Sequence, residues 1–415
     1  MYRNFVEKNM LNKIRLGIIR ETKTPPDPRA PLAPKHCKEL LRKYPNLEIY
    51  IQPAKYRCFT SNEYTGAGVR LKEELNNCDY LLGVKEVDIS HLMYHKTYMF
   101  FSHTAKMQAH NRELLRNIII RRITLIDYEY LVDDEGRRLV GFGRFAGIVG
   151  AHNGLWTWGK RHGIYEMPRA YELGTYDNLK EFYSDFDMPP VKVIVTGRGR
   201  SAKGAMELLE IAGFKKVSPE KFLQVDKPSE PIYVQLTKAE IYRHKETGKY
   251  DRDHFHSHPE EYESAMKDFL ASADILINCI NWDYSMPPLF TREDVREPWF
   301  RIQVIADVSC DIKGSVPITL RATTIETPVY GYHPEKEIIT RPFSKEVVDI
   351  MAVDNLPGEL PRDATTEFSR DLSTHVIPLL IENPNHQIIQ RATIAKEGKL
   401  TEHFKHLEDF VRGRR

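Results

Sequence analysis

The sequence predicts an α/β protein built as two domains, each around a parallel sheet, with an active-site cleft separating them. Three observations predict it. Short apolar runs alternate with amphipathic stretches, the strand–helix–strand pattern of a parallel sheet covered on both faces. That series runs twice, once before and once after about residue 143. The 415 residues, 41% hydrophobic and 28% charged, suit two or three globular domains that each bury a core.

Residues 13–19 (KIRLGII), 47–51 (LEIYI), 80–84 (YLLGV), 98–101 (YMFF) and 124–126 read as strands of the first series, with helices at 34–44 and 111–116. Residues 142–158 carry glycines at 143, 147, 150 and 154, a small-residue stripe that lets a helix pack closely on a neighbour. Residues 191–195 (VKVIV), 274–280 (DILINCI) and 303–308 (QVIADV) read as buried strands of the second sheet. Residues 226–263 are polar and read as an insertion. A helical pattern over 368–381 is expected to cross back to the first domain. The expected domains are residues 1–143 plus 355–415, and 144–354.

Composition excludes several functions. Sixty Lys and Arg against 58 Asp and Glu leave a net charge of +2, without the basic surplus a nucleic-acid partner calls for. Five cysteines, at 37, 58, 78, 279 and 310, are odd in number and lack metal-type spacing, so neither a disulfide framework nor a zinc site is indicated. No apolar run approaches the ~18 residues of a membrane span. The stretch MYRNFVEKNMLNK has no apolar signal core and carries Glu7, so a cytoplasmic protein is expected. Alternating His254, His256 and His258 could chelate a metal from a strand. They lie in a Pro- and Glu-bearing polar stretch, so no metal is expected.

Residues 191–205 read VKVIVTGRGRSAKGA and lead into a helical pattern. A buried strand, then Gly197, Gly199 and Ala202 at Rossmann spacing, then a helix, predicts a Rossmann-like dinucleotide site. Gly197 makes the tight turn, and Gly199 lets the backbone approach a pyrophosphate on the helix N-terminus. Cofactor choice is made at the tip of the second strand, roughly 20 residues on. Residues 215–218 (KKVS) fall there with Lys215, Lys216 and Lys221 nearby, whereas Asp226 comes late. Such surroundings suit the 2′-phosphate of NADP(H) over NAD(H).

In the first domain Lys85 follows the strand YLLGV and His103 follows YMFFS. Both would sit at carboxyl ends of parallel strands, where open α/β sheets place ligands. A buried Lys beside other cations can act as a base, and His titrates near neutrality. Arg29, Lys106, Arg137 and Arg138 add positive charge, and Glu129 supplies an acid. So many cations in a short stretch suggest a substrate with more than one carboxylate. Taken singly each has an ordinary reading: a solvated lysine, a hydrogen-bonded histidine, the charged turn DDEGRR. Their joint position gives the functional one.

Beyond these groups stand longer stretches: RAPLAPKH from Arg29, LLGVK ending at Lys85, KTYMFFSHTAKMQ from Lys96, LIDYEYLVDDEGRR from Leu125, and FGRFAGIVG from Phe142. Further on come TGRGRSAKGA, ILINCINW, PPLFTRED, DVSCDIKGS, TTIETP and VDNLPGELPRDATTEF. With them the sequence resembles the alanine dehydrogenase and transhydrogenase superfamily. It most resembles the lysine–ketoglutarate reductase half of aminoadipic semialdehyde synthase, with fungal lysine-forming saccharopine dehydrogenases as relatives. The resemblance implies condensation of the lysine ε-amine with 2-oxoglutarate, then hydride transfer from NAD(P)H to the imine, giving saccharopine. It makes Lys85 the base and His103 the acid, and Arg29, Lys106, Gln108, Glu129, Arg138 and Phe142 substrate contacts. Arg137, Gly199, Arg200, Cys279, Ile280, Asn281, Val308, Ser309, Asp311, Asp354, Asn355 and Leu356 match positions that line the cofactor. Ser201 replaces the partner that Cys279 has in the fungal enzymes, which rules out their disulfide. The fungal cofactor-selecting Asp aligns only loosely with Asp226. Saccharopine cleavage, the task of the second half of the bifunctional protein, is expected of another polypeptide. A dehydrogenase of another amino acid, such as alanine, is the alternative. A non-catalytic nucleotide-binding regulator ranks last, because it would be expected to lose Lys85 or His103.

Overall fold

The computed structural model describes residues 13–414; the reading of the stretch before residue 13 lies outside them. In chain order the strands are β1 (Ile14–Ile18), β2 (Leu47–Ile51), β3 (Arg70–Leu71), β4 (Tyr80–Leu82), β5 (Thr97–Phe100) and β6 (Thr124–Asp127). Then follow β7 (Lys192–Thr196), β8 (Lys215–Val217), β9 (Ile232–Leu236), β10 (Tyr242–His244), β11 (Tyr262–Ser264), β12 (Ile275–Asn278), β13 (Val304–Asp307), β14 (Val329–His333), β15 (Ile338–Thr340) and β16 (Val348–Met351). β17 (Thr393–Lys396) and β18 (Lys399–Leu400) come last. The chain divides into two compact units: one runs up to Phe142 and resumes at Pro361, and the other is Gly143–Leu360. Residues 355–360, placed with the returning segment by the sequence reading, group with the second unit.

The first unit holds a sheet of order β18-β17-β6-β5-β4-β1-β2-β3. β1 to β6 pair in parallel, and β17 and β18 add on antiparallel beyond β6. Tyr98, Met99 and Phe100 are buried in succession. A strand covered on both faces has no solvent side, which is why these segments read as unbroken apolar runs.

The second unit holds a sheet of order β15-β14-β16-β13-β12-β7-β9-β8. It is parallel from β8 through β16, with β14 and β15 antiparallel at one edge. The glycine stripe lies on the helix Gly143–His162, packed against the helix Arg200–Ile211 that opens after β7. A Cβ on Gly147 would lie 1.8 Å from the Ser201 carbonyl oxygen, and one on Gly204 would lie 2.0 Å from that of Arg144. The two backbones touch, and only glycine permits it.

Residues 226–263 are not simply an insertion. β9, with four of its five residues buried, lies inside this stretch and pairs with both β7 and β8. Only β10 and β11, a separate antiparallel pair, stand outside the main sheet. The returning helical pattern begins earlier than 368, as Pro361–His375, and breaks at Val376 before Ile377–Glu382. Among the described residues no helix is long and apolar enough to cross a membrane.

Candidate active site

Three neighbouring strand ends of the first unit carry the candidate chemistry. Lys85 lies three residues beyond β4, His103 three beyond β5 and Glu129 two beyond β6. Buried Asp127 braces this rim. It accepts hydrogen bonds from the Ser102 amide (2.9 Å), the Ser102 hydroxyl (2.6 Å) and the Glu129 amide (2.8 Å). These bonds hold the turn in which His103 takes a left-handed φ of 51°.

Each titratable group has a named neighbour. The His103 Nδ1 meets the Glu86 carboxylate at 2.5 Å, and the His103 ring stacks on Phe101. Burial works to raise the Glu86 carboxyl, yet the His103 hydrogen bond and charge outweigh it and hold it at about 2. Burial lowers the Lys85 ammonium, and the charges of Arg29 and Lys23 add to that, against Glu86 and Asp27. A larger share of Lys85 is therefore neutral than of an exposed lysine. Arg29 is buried, with Nε and one Nη forked onto Asp27 at 2.9 and 2.6 Å and its guanidinium 4.3 Å above the Phe142 ring. Phe142 stacks in turn on Phe368. Glu129 pairs with Arg138; burial works to raise its carboxyl, but Arg138, Lys106 and His103 together lower it.

The structure therefore gathers Lys85, His103, Arg29, Lys106, Glu129, Arg138 and Phe142 into one connected constellation. Gln108 is exposed on the turn beyond Lys106. Arg137, expected at the cofactor, is exposed and pairs with Asp133 and Glu135 of its own loop at 2.7 and 2.9 Å. Sequence reasoning missed Glu86, Asp27, Asp127 and the half-buried Glu21. Only Glu86 had a local signal, as the residue after Lys85.

In the second unit the expected cofactor positions all follow carboxyl ends of parallel strands. Gly197, Gly199, Arg200 and Ala202 come after β7, and Cys279, Ile280 and Asn281 after β12. Val308, Ser309 and Asp311 come after β13, and Asp354, Asn355 and Leu356 after β16. Asn278 ties these ends together. Its Nδ2 donates to Asp307, Ser309 and Ser315, and its Oδ1 accepts from the Thr196 hydroxyl at 2.7 Å. The residues fit a dinucleotide. Gly197 turns at φ 93° with no room for a Cβ, which would lie 2.7 Å from the Cys279 carbonyl oxygen. Gly199 opens onto free space at the N-terminus of a 12-residue helix, and Asn355 keeps a buried Oδ1 without a partner among the described residues. Among the described residues no disulfide joins the cysteines, and Cys279 is buried.

Two expectations are corrected. The strand beside β7 is β9, not β8, so the strand end neighbouring the glycine-rich turn is that at Leu236 and not residues 215–218. Lys215 and Lys216 stand on the sheet edge, Lys221 lies on the helix after it, and Asp226 precedes β9, facing Arg301 at 3.6 Å. The histidines at 254 and 256 lie on the helix Arg252–Ser257, not a strand, with His258 capping it. His254 groups with His244 and Glu261. The His244 Nδ1 accepts the Glu246 amide at 3.1 Å, and its Nε2 lies 3.2 Å from the Glu261 carboxylate.

Comparison with known proteins adds the lineage. The alanine dehydrogenase/PNT N-terminal domain matches residues 17–149, and the alanine dehydrogenase/PNT C-terminal domain matches residues 188–404. The mitochondrial alpha-aminoadipic semialdehyde synthase of Mus musculus is 30% identical over 450 residues, covering 97% of this chain and 48% of that protein. The chain thus spans about half the length of this relative. The saccharopine dehydrogenase (NAD(+), L-lysine-forming) of Yarrowia lipolytica is 25% identical, covering 93% of this chain and 97% of its own length. A solved L-alanine dehydrogenase superposes with a TM-score of 0.66 at 16% identity, over 96% of this chain and 99% of that one, and shares the fold. With both domains present in order, the chain belongs to the alanine dehydrogenase/PNT family.

Proposed function

We propose that this protein is a saccharopine-forming or lysine-forming oxidoreductase, which joins the lysine ε-amine to 2-oxoglutarate and reduces the resulting imine with a nicotinamide dinucleotide. The observation that carries the reading is the pairing of Lys85, its ammonium lowered, with a His103–Glu86 pair at the next strand end. Arg29, Lys106 and Arg138 surround them, and a dicarboxylic partner needs such cations. The names of the mouse and yeast relatives support the same chemistry.

Neutral Lys85 takes the proton from the substrate ε-ammonium, which frees the amine to attack the 2-oxo carbon. His103, held by Glu86, donates the proton that lets the carbinolamine oxygen leave as water. Arg138 offers its guanidinium to a substrate carboxylate, and Arg29 has one Nη beyond the fork it gives Asp27. The dinucleotide, when bound on the glycine-rich loop, supplies the hydride. The test follows oxidation of NADPH or NADH with lysine and 2-oxoglutarate. The expected result is lysine-dependent oxidation, with kcat falling about a hundredfold or more in Lys85→Met and in His103→Gln. Oxidation with pyruvate and ammonia but not with lysine and 2-oxoglutarate would overturn the reading in favour of an alanine dehydrogenase.

A further inference from the structure

The ribbon of β10 and β11 and the helix Arg252–Ser257 form a small module outside the main sheet of the second unit. Its interior is aromatic. Buried Phe255 stacks on Tyr242, 4.8 Å between ring centres, and meets the Tyr262 ring edge to face at 5.0 Å. This packing fixes the helix on the ribbon and, with it, His254, the residue before Phe255. On the ribbon His244 stands opposite Tyr262, and the Lys245 amide donates to the Glu261 carbonyl at 2.9 Å. That register puts His244 next to Glu261, and the helix brings His254 to both.

The three side chains offer two imidazole nitrogens and a carboxylate oxygen within 4.8 Å of one another. The Glu261 Oε2 lies 3.2 Å from the His244 Nε2 and 3.7 Å from the His254 Nε2. Donors bound to a tetrahedral zinc ion stand about 3.3 Å apart, close to both separations. Tyr262 supplies an outer partner: its hydroxyl donates to the Asp251 carbonyl at 3.2 Å and lies 3.3 Å from the His254 Nδ1. An imidazole that ligates a metal through one nitrogen holds the hydrogen of the other on such a group. Thr247, Lys249, Asp253 and Ser257 border a cavity of about 610 Å³ beside the three donors, which gives an ion an entry path and water room to follow.

We propose that His244, His254 and Glu261 bind one zinc ion, with water in the fourth position. Two imidazoles and one carboxylate suit zinc over magnesium or calcium, which take oxygen donors. The Pro- and Glu-bearing stretch that made a metal unexpected from the sequence is the one that supplies the carboxylate. The Glu246 and Thr247 amides face the His244 Nδ1 at 3.1 and 3.4 Å. With zinc on Nε2 that nitrogen carries the hydrogen, so the two amides turn to water instead. The turn stays closed, because the Gly248 amide donates to the His244 carbonyl at 2.9 Å. The ion then clips β10 to the helix and to the segment before β11. This site is independent of the proposed activity.

The test is calorimetric titration of the untagged full chain, stripped with a chelator and dialysed, with zinc chloride in excess magnesium. The expected result is one zinc per chain with a Kd of about 10 μM or tighter. His244→Gln, His254→Gln and Glu261→Gln should each weaken binding about tenfold or more. His256→Gln, on another face of the helix, should leave it unchanged. Zinc-edge X-ray absorption of the loaded parent, which needs no variant, should show two imidazole ligands in a four-coordinate shell. No saturable uptake, uptake undiminished in any one of the three ligand variants, an equal loss in His256→Gln, or a shell without imidazole would overturn the site.

Discussion

Glu21 holds the turn that presents Lys85. Its two carboxylate oxygens accept the amides of Val84 (2.8 Å) and Lys85 (2.9 Å). Burial raises its pKa to about 7 from 4.5, Asp27 adds to this, and the two amides and Arg29 oppose it. A carboxyl raised above its unfolded value favours folding in its protonated form. That contribution is full below about 4.5 and is lost as the pH rises through about 7. Glu21→Gln is neutral throughout, so relative to the parent it should gain about 2 kcal/mol between pH 5 and pH 8. Urea unfolding of both proteins at the two pH values checks this, and a constant difference would show that Glu21 stays ionised. Lys85 and His103 could be read from the sequence because each directly follows an apolar strand. Glu21 and Asp127 could not, since nothing local distinguishes a buried carboxylate that braces backbone amides from a surface acid.

The helix Gly143–His162 shows how much depends on a missing side chain. In Gly147→Ala the new methyl meets the Ser201 oxygen and, at 2.7 Å, the Ala205 nitrogen, both backbone atoms that no rotamer change can clear. The substitution should cost about 1–3 kcal/mol in denaturant unfolding and displace the helix that carries the dinucleotide loop. Gly66→Ala, with nothing within 4 Å of its added Cβ, should stay within about 0.5 kcal/mol or stabilise slightly. The glycine stripe was readable because its spacing marks one helix face. β9 was not: IYVQL is five residues between two polar stretches, and the surrounding Pro, Ser, Glu and Lys dominate the window. Missing it put β8 in the place beside β7 that β9 holds, so one short strand governed the reading of the sheet order there.

Across the whole molecule the two units differ in chain continuity. Gly143–Leu360 is one unbroken segment with its own sheet and core, including Ile194, Val234, Leu276, Ile305 and Ile350. It should fold cooperatively by itself and bind a nicotinamide dinucleotide. Residues 1–142 alone should not fold. Their packing needs Phe368 on Phe142, the Thr365 and Ser369 hydroxyls that accept the Ala30 and Ala33 amides, and β17 against β6. Circular dichroism and urea unfolding of the two fragments check this, and a cooperative transition in the 1–142 fragment would contradict it.

Because β6 ends at Asp127 and its partner β17 begins only at Thr393, synthesis from the N-terminus leaves the β6 edge open while the intervening unit is made. The inserted unit can reach its native form on the ribosome first, whereas the nascent β6 exposes a row of unpaired amides and carbonyls. During that interval the edge is open to strand exchange with another nascent copy. The yield of native protein in a cell therefore depends on how quickly the last strands are delivered to it, independently of the stability of the finished fold.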